Sequence, residues 1–315
     1  MVAVVGPTAT GKSDLGIALA LALGGDVVNA DALQLYRGMD VGTAKVPTGD
    51  RHGVVHHLLD VLDPAQDASV ADYQGWGRAV LDDLGGAGRA AVAVGGSGLY
   101  VRALLDHLEF PGTDPALRER LESRAADGGP GLLHADLAAV DPEAAARIGS
   151  RNTRRLVRAL EVIGLTGRPY SAALPRHEYA VPALQIGVDC DRAVLDARVA
   201  GRVDRMWAAG LVDEVRGLTA GGGLGRTAAR AVGYAQVLEL LAGRVTEQDA
   251  RDATVAATRR LARRQMGWFG RDPRVHWLDA ADPRLVEHAR ELVARHVSGD
   301  LPAPADAGTR RRLGA

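Results

Sequence analysis

The sequence predicts an α/β fold in which a parallel β-sheet carries an inserted, all-helical domain, and three observations support this. Residues 1–5 and 90–94 are apolar runs without alternation of apolar and polar residues, as in strands buried on both faces of a parallel sheet. Two further strands are predicted, one from Val27 and Val28 to near Asp31 and one from Leu184 to Val188. Helical patterns separate these strands, as in βαβ units. Between them the strand pattern disappears, and four helices are predicted, at Pro115–Ala126, Leu132–Val140, Pro142–Ile148 and Thr153–Leu165.

A glycine loop follows the first strand, and a helix from about Lys12 to Leu23 follows the loop. Its spacing, G-x-x-x-x-G-K-S between a strand and a helix, is the P-loop signature. Backbone N–H groups and the helix N-terminus attract phosphate oxygens, Lys12 adds a full charge, and the Ser13 hydroxyl can reach a magnesium ion. The sequence therefore predicts a P-loop NTPase-like core. A di- or triphosphate would be bound by Gly6, Pro7, Thr8, Ala9, Thr10, Gly11, Lys12 and Ser13.

Two more predicted strands end on residues that could do chemistry. Asp31 ends the second strand, and Ser97 follows the third within Gly-Gly-Ser-Gly. Both positions lie at the carboxyl edge of the sheet, where open parallel sheets place their sites. Asp31 could act as a general base, bind magnesium through water or cap a helix, and the glycine segment could also be a simple tight turn. In many P-loop ATPases this strand ends on an aspartate. The third strand of this chain does not, and the missing aspartate disfavours ATP hydrolysis.

The predicted core comprises 1–113 and 183–297, the insertion comprises 114–182, and 298–315 is expected to be a disordered tail because it is rich in Ala, Pro, Gly and Arg. Four further core helices are predicted, and Thr246 is expected to be the N-cap of the last one. They span Asp191–Ala209, Leu211–Thr219, Ala228–Leu241 and Thr246–Phe269.

The charge is close to balanced, at −1, but it is unevenly distributed. Seven arginines and one acidic residue lie between Arg147 and Arg176, and seven arginines and two acidic residues lie between Arg251 and Arg274. Such clusters are typical of surfaces that bind the phosphate backbone of a nucleic acid, although a solvated helix face in an arginine-rich chain is the alternative. Only two lysines occur, Lys12 and Lys45, which marks both as places where a compact ammonium group is needed.

The composition also excludes several classes. A single cysteine allows neither a disulfide within the chain nor a cysteine metal site, which fits a reducing compartment. No apolar run reaches the roughly 18–20 residues of a membrane span. A cytoplasmic, monomeric protein without membrane contact is expected.

Eight segments in register together resemble the tRNA dimethylallyltransferase family, also called IPP transferases. The resemblance covers nearly the whole chain, and any single segment after the P-loop would be weak. The segments are the P-loop at 6–13, DALQLYRGMDVGTAK at 31–45, VGGSGLY at 94–100, DPALR at 114–118, DPEAAARI at 141–148, RRLVRALEV at 154–162, RAVGY at 230–234 and TRRLARRQ at 258–265.

The resemblance implies an activity and its substrates. The family transfers a dimethylallyl group from dimethylallyl diphosphate to the N6 amine of the adenosine on the 3′ side of the anticodon, in tRNAs reading codons that start with U, and releases diphosphate. The P-loop would then hold the donor's diphosphate with Mg²⁺, and the helical insertion would bind the anticodon stem-loop. The target adenine must leave its stack to be modified.

The resemblance also implies roles for particular residues. Asp31 would accept the amine proton or hold the amine in line, Ser97 and Arg118 would stabilise charge on the leaving diphosphate, and Arg198 and Arg202 would be further diphosphate contacts. The tRNA would be bound by Asp31, Ala32, Leu33, Gln34, Arg154, Arg155, Leu156, Val157, Arg158, Arg230, Ala231, Val232, Gly233 and Tyr234.

Two other functions remain compatible with the sequence. A P-loop small-molecule kinase would share the phosphate loop, a lid-like helical insertion and an acid at the end of the second strand. A nucleotide-gated RNA-binding protein would need the arginine clusters but not Asp31. The chain also departs from the family's pattern: Ser97 stands where threonine is often found, Ala32 where serine is frequent, and Ala235 where a longer polar residue is common.

Overall fold

A computed structural model describes residues 1–173, 177–304 and 311–314. The chain divides into two compact units, a core formed by Met1–Leu105 and Tyr179–Ala315 and a helical unit formed by Asp106–Glu178. The sequence placed these boundaries at 113/114 and 182/183. In the structure the helical unit begins earlier and ends earlier, at Asp106 and Glu178. The two segments of the core are joined next to it by a hydrogen bond of 2.7 Å from the Ala180 N–H to the Leu105 carbonyl.

Six parallel strands form the sheet of the core, in the order β3-β2-β4-β1-β5-β6. The four predicted strands are all present. Two strands were missed, because β3 has only two residues and β6 mixes polar and aromatic residues with apolar ones. The strands are β1 Val2–Val5, β2 Asp26–Asn29, β3 His56–His57, β4 Ala91–Val94, β5 Leu184–Asp189 and β6 Val275–Asp279.

Among the described residues, nine helices belong to the core. They are α1 Lys12–Leu23, α2 Val70–Gly86, α3 Gly98–Leu105, α8 Arg192–Ala208, α9 Leu211–Ala220, α10 Arg226–Ala229, α11 Tyr234–Leu241, α12 Glu247–Phe269 and α13 Leu285–Ser298. The first of these packs closely on the sheet, since a Cβ added to Gly16 would lie 2.3 Å from a methyl group of Val94. The predicted α/β class with a parallel sheet is therefore confirmed.

The predicted continuous helix Ala228–Leu241 is wrong, because α10 ends at Ala229 and α11 begins at Tyr234. Gly233 has a φ of +93°, which a helix cannot accommodate, and its N–H donates to Oε1 of Gln236 at 2.8 Å. The predicted N-cap Thr246 is confirmed. Its side chain accepts a hydrogen bond from the Asp249 N–H, and the Asp249 carboxylate accepts one from the Thr246 N–H.

The helical unit contains the four helices that the sequence predicted, within two residues at each end. They are α4 Pro115–Gly128, α5 Pro130–Val140, α6 Pro142–Ile148 and α7 Thr153–Thr166. Side chains of Asp114, Asp141 and Asn152 cap α4, α6 and α7 by accepting backbone N–H bonds. Leu133 and Leu137 pack against Leu156 and neighbouring apolar residues, giving this unit a hydrophobic core of its own.

Part of the segment expected to be a disordered tail contacts the core. Leu301 packs against the hydrophobic cluster that residues of the sheet form with α1 and α13. Farther on, the Arg311 N–H donates to the Gly270 carbonyl at 2.9 Å, and the Gly314 N–H donates to Oδ2 of Asp189 at 3.2 Å. Residues 305–310 and 315 of the predicted tail, and Arg176 of the first arginine cluster, lie outside the described residues. Within the described residues, no helix has the length and apolar character needed to cross a membrane.

Candidate active site

The P-loop leaves β1 along a path that only glycine can follow at its first residue. Gly6 has a φ of +131°, and an added Cβ would lie 2.4 Å from the Val188 carbonyl oxygen on β5. At the other end of the loop, Gly11 adopts a left-handed conformation with φ +87° and leads directly into α1. Between them, the buried Thr10 hydroxyl donates to the Pro7 carbonyl at 3.0 Å. The predicted strand–loop–helix geometry is thus present.

A cavity of about 870 Å³ opens in front of this loop, and its volume falls within the range of small-molecule sites. The P-loop, the ends of β2 and β4, and the segment that follows β2 all contribute to its wall. Among the lining residues are Thr8, Ala9, Gly11, Lys12, Ser13, Asn29, Asp31, Gln34, Gly95, Gly96, Arg202 and Gln265. The structure therefore brings the predicted phosphate loop and the predicted carboxylate to one cavity.

The Lys12 ammonium group lies within the loop and donates to the Pro7 carbonyl at 2.5 Å. Desolvation lowers the pKa of Lys12 to about 7, and the positive charge of Arg202 acts in the same direction, while Asp31 acts in the opposite one. A bound anion would supply the negative charge that this ammonium group lacks.

Asp31 is held in position at the end of β2 by backbone and amide contacts. Its Oδ1 accepts a hydrogen bond from the Leu33 N–H at 3.0 Å, and its own N–H donates to Oδ1 of Asn29 at 2.9 Å. The Asn29 amide also donates to the carbonyls of Asp31 and Leu58, each at 3.0 Å. Desolvation raises the pKa of Asp31, although the Leu33 N–H and the positive charges of Lys12 and Arg202 act in the opposite direction. A carboxylate with a raised pKa is a better proton acceptor.

Ser97 lies at the start of α3 and joins two of the site's segments. Its hydroxyl oxygen accepts a hydrogen bond from the Ala32 N–H at 3.2 Å. Ser97 is not among the residues that line the cavity, whereas Gly95 and Gly96 are. The contact supports a role for Ser97 in holding the backbone next to Asp31.

Two side chains brace the P-loop from outside it. Arg202 on α8 donates to the Thr8 hydroxyl at 2.7 Å, so the predicted proximity of Arg202 to the loop is present. From α12, the buried Gln265 accepts a hydrogen bond from the Thr8 N–H at 2.8 Å. Gln265 also lies against Gly96, where an added Cβ would be 2.2 Å from its amide nitrogen. Sequence reasoning placed Gln265 in a family segment but gave it no role, since nothing in its local pattern predicts this long-range contact.

Arg198 lines a second, smaller cavity of about 500 Å³, which also borders the P-loop at Ala9, Thr10 and Gly11. Arg202, Arg205 and Asp14 of α1 line the same cavity. The three arginines follow one another on α8 at intervals of three to four residues and so share one side of that helix. Arg198 therefore lies beside the P-loop, as expected, but in a different cavity from Asp31.

Two tyrosines complete the surroundings of Asp31. The Tyr73 hydroxyl donates to the Asn29 carbonyl at 2.8 Å, and the Tyr73 and Tyr100 ring centroids are 4.5 Å apart. Burial raises the pKa of both hydroxyls, and the negative charge of Asp31 adds to the effect. Both tyrosines therefore remain neutral at physiological pH and cannot replace Asp31 as a base.

Lys45, the second lysine, has a structural explanation. Its ammonium group donates to the Tyr36 carbonyl at 2.9 Å, to Oδ1 of Asp60 at 2.6 Å and to Oδ1 of Asp40 at 2.5 Å. Three acceptors surround one buried nitrogen, which suits the three donors of an ammonium group and not a planar guanidinium. The prediction that this position needs a compact cation agrees with the contacts.

The residues present fit a magnesium ion that is bound largely through its substrate. Among the described residues, no group of three or more His, Cys, Asp or Glu side chains could hold a metal alone. Ser13 and Asp31 offer oxygen atoms to the cavity. Magnesium commonly keeps several waters and takes phosphate oxygens together with one or two protein ligands.

Several predicted contact residues are engaged within the helical unit itself. The fully buried Glu161 carboxylate accepts from Arg118 at 2.7 Å and from Arg158 at 2.8 Å. Arg158 also donates to the carbonyls of 111 and 112. Leu156 and Val157 are buried in the core of the unit, which corrects their assignment as direct RNA contacts. Arg118 and Arg158 pair with Glu161 and stay partly exposed, and the expected roles of Arg118 at the diphosphate and of Arg158 at the RNA remain predictions.

Arg154 and Arg155 remain as the exposed part of this predicted surface. In the core, Arg230 is exposed too, but Ala231, Gly233 and Tyr234 are buried and Val232 is half-buried. The Tyr234 hydroxyl donates to Oε1 of Glu214, so a direct RNA contact for Tyr234 is replaced by an interior one. The segment of Ala32, Leu33 and Gln34 is half-buried beside Asp31.

Residues 34–272 match a family model described as IPP transferase, and residues 1–53 match one described as isopentenyl transferase. The first match alone covers more than half of the chain. The chain belongs to the IPP transferase family. The resemblance read from the eight segments is thereby confirmed.

Similar proteins cover nearly the whole chain. The tRNA dimethylallyltransferase of Thermobifida fusca (strain YX) is 59% identical over 302 residues, spanning 94% of this chain and 95% of its own. The tRNA dimethylallyltransferase of Streptomyces avermitilis is 61% identical over 288 residues, spanning 91% and 92%. Relatives of this kind support neither the small-molecule kinase nor the nucleotide-gated RNA-binding protein.

Two solved structures are similar to this IPP transferase family member. The tRNA isopentenylpyrophosphate transferase from Bacillus halodurans has a TM-score of 0.72 and 36% identity, over 95% of this chain and 97% of that one. A eukaryotic dimethylallyltransferase acting on tRNA has a TM-score of 0.84 over 98% of this chain and 81% of that one. At 22% identity, the second likeness shows a shared fold.

Proposed function

We propose that this protein is a tRNA dimethylallyltransferase that uses dimethylallyl diphosphate and Mg²⁺. It transfers the dimethylallyl group to the N6 amine of the adenosine on the 3′ side of the anticodon, in tRNAs that read codons starting with U. One observation carries the proposal: in a chain about 60% identical to tRNA dimethylallyltransferases, a P-loop lysine and the Asp31 carboxylate line the same cavity. This arrangement suits a reaction in which an anion departs and a proton is removed.

In this mechanism the P-loop binds the diphosphate of the donor. Lys12 and Arg202 offer positive charge to it, together with backbone N–H groups at the start of α1. As the C1–O bond of the donor breaks, negative charge grows on the leaving oxygen. Cationic groups and fixed N–H dipoles held in advance stabilise that charge without reorganisation. A magnesium ion, held by Ser13 and the phosphate oxygens, would neutralise further charge on the diphosphate.

Asp31 acts on the acceptor side of the reaction. The N6 nitrogen of the adenine forms the new bond to C1 of the dimethylallyl group, and one N6 proton must leave. Asp31 accepts this proton, and the raised pKa of its carboxyl group favours the transfer. Asn29 and Ser97 support this geometry, since both hold backbone groups of residues 31 and 32.

The RNA is bound through exposed arginines and the segment beside Asp31. Arg154 and Arg155 on α7 offer two exposed cationic side chains to the phosphates of the anticodon stem-loop. Arg230 offers a third from the core. We assign Gln34, which lines the cavity, to the surroundings of the extruded adenosine.

The proposal is tested by comparing donors. The purified protein is incubated with dimethylallyl diphosphate and an anticodon stem-loop RNA, and in parallel with radiolabelled ATP and small hydroxyl acceptors. A mass gain of one dimethylallyl group on the RNA, with no phosphate transfer, is expected. Phosphorylated acceptors and unmodified RNA would contradict the proposal.

The Asp31→Asn variant tests the proposed base. We expect it to lower kcat at least about a hundredfold, because general bases contribute roughly 10²–10⁴ to the rate. Stem-loop binding, measured by fluorescence anisotropy, should stay close to that of the wild type. Prenyl transfer within about tenfold of the wild type, with binding intact, would show that Asp31 is not the base.

A further inference from the structure

The backbone of residues 40–42 forms a pocket of N–H groups that a carboxylate from α9 fills. Glu214 accepts hydrogen bonds from Asp40 N–H at 2.9 Å and Val41 N–H at 2.7 Å through Oε2, and from Gly42 N–H at 3.2 Å through Oε1. Three successive N–H groups that converge in this way form an anion-binding concavity. The chain supplies the anion itself, from a residue more than 170 positions away.

Tyr234 holds the other side of the same contact. Its hydroxyl donates to Oε1 of Glu214 at 2.5 Å, and its ring is fully buried. The ring lies directly against Gly42, where an added Cβ would be 2.4 Å from a ring carbon. Glu214 therefore fixes the orientation of the three N–H groups, and Tyr234 fixes the position of the backbone at Gly42.

The fixed segment, residues 40–46, forms one wall of the active-site cavity and contacts the segment that follows Asp31. The Gln34 amide donates to the Thr43 carbonyl at 3.1 Å, and the Thr43 hydroxyl donates to the Met39 carbonyl at 2.6 Å. A shift of residues 40–43 would consequently move Gln34. The P-loop is braced by different side chains, Arg202 and Gln265, from other helices.

We propose that Glu214 and Tyr234 are positioning residues for the RNA acceptor: they hold the cavity wall at 40–46, and through it Gln34, in the conformation that receives the target adenosine. The donor diphosphate, bound by the P-loop, is independent of this contact. The inference rests on the proposed function, because it divides one active site into an acceptor side and a donor side.

Glu214→Gln is the test variant. An amide in place of the carboxylate keeps the volume but turns an NH₂ group toward backbone donors, so that the wall loses charge-assisted hydrogen bonds. We expect KM for an anticodon stem-loop to rise about tenfold or more, while KM for dimethylallyl diphosphate stays within about twofold of the wild type. Calorimetric binding of dimethylallyl diphosphate without RNA should likewise be unchanged.

The matched control is Glu239→Gln, the same exchange on the neighbouring helix α11. Glu239 is exposed and pairs with Arg244 on the surface, so both KM values should equal those of the wild type. Tyr234→Phe keeps the buried ring and removes one hydrogen bond. It should raise KM for the stem-loop selectively, by about threefold to tenfold, and it serves as the deciding variant should Glu214→Gln fail to fold.

The outcomes separate the two proposals. A wild-type protein that prenylates no RNA would overturn the proposed function. An active wild type combined with an unchanged stem-loop KM in Glu214→Gln, or with an equal rise in both KM values, would overturn the positioning role alone. A folded Tyr234→Phe variant with wild-type KM values would do so as well.

Discussion

Raising the pH above neutrality should weaken the binding of dimethylallyl diphosphate, because Lys12 then loses its charge. Desolvation in the cavity lowers the pKa of Lys12 to about 7, far below that of an ordinary lysine, and Arg202 contributes in the same direction. The last ionisation of a phosphate group lies near pH 6, so the charge of the ligand hardly changes above pH 7.5. The pH dependence in this range therefore reports on the protein.

The size of the effect follows from the protonated fraction. Above the pKa, each pH unit reduces that fraction about tenfold, so Kd should rise about tenfold per unit between pH 7.5 and 9. The pH dependence of folding stability has the opposite sign to that of binding. The unfolded chain binds this proton more tightly than the folded one, so the contribution of Lys12 to stability increases as the pH rises from about 7 to the ordinary value of 10.5.

Isothermal titration calorimetry without RNA measures this directly. At pH 8, in two buffers of different ionisation enthalpy, binding should take up nearly one proton per ligand. The Lys12→Met variant is the control, since it has no ammonium group to titrate, so its Kd should be higher than that of the wild type but should not vary with pH. A wild-type Kd that stays constant from pH 7.5 to 9, or the same slope in Lys12→Met, would show that the titration of Lys12 does not control binding.

Three other changes test separate parts of the structure. Replacing Arg154 and Arg155 together with glutamine should reduce the slope of log Kd against log salt for the stem-loop by about 1.5, and an unchanged slope would count against this surface. Lys45→Met should lower the free energy of unfolding in urea by about 1 kcal/mol, because two half-exposed carboxylates lose their common partner but keep their contact with water; an unchanged free energy of unfolding would contradict that role. Gln265→Ala should weaken calorimetric binding of dimethylallyl diphosphate about tenfold, since it removes the acceptor that holds the P-loop; unchanged affinity would show that this contact is dispensable.

Local patterns were sufficient to predict most of the fold. The strands at 1–5 and 90–94 are continuous apolar runs because both faces of the sheet are covered, and such runs are visible in sequence. The bounds of α6 follow from Asp141-Pro142 at its start and Gly149 at its end. In contrast, β6 could not be predicted because its Val-His-Trp-Leu-Asp pattern becomes a strand only by pairing with β5.

Site residues could be predicted only where the functional side chain directly follows the strand that positions it. The P-loop and Asp31 each follow a strand directly, so their positions could be inferred from spacing and sheet topology. Glu214 and Gln265 reach the site from helices more than 170 residues away, and their neighbours in sequence show no pattern that predicts such contacts. The direction in which Tyr234 points was missed for a related reason, because the break at Gly233 rotates it into the interior.

Mass spectrometry of bulk tRNA from cells that lack this gene tests the proposed function most directly. We expect the dimethylallyl modification of the adenosine next to the anticodon to disappear, to return when the wild-type gene is restored, and to stay absent when the Asp31→Asn gene is supplied. Modified adenosine at the normal level in cells without the gene would contradict the central claim that this P-loop serves prenyl transfer to tRNA.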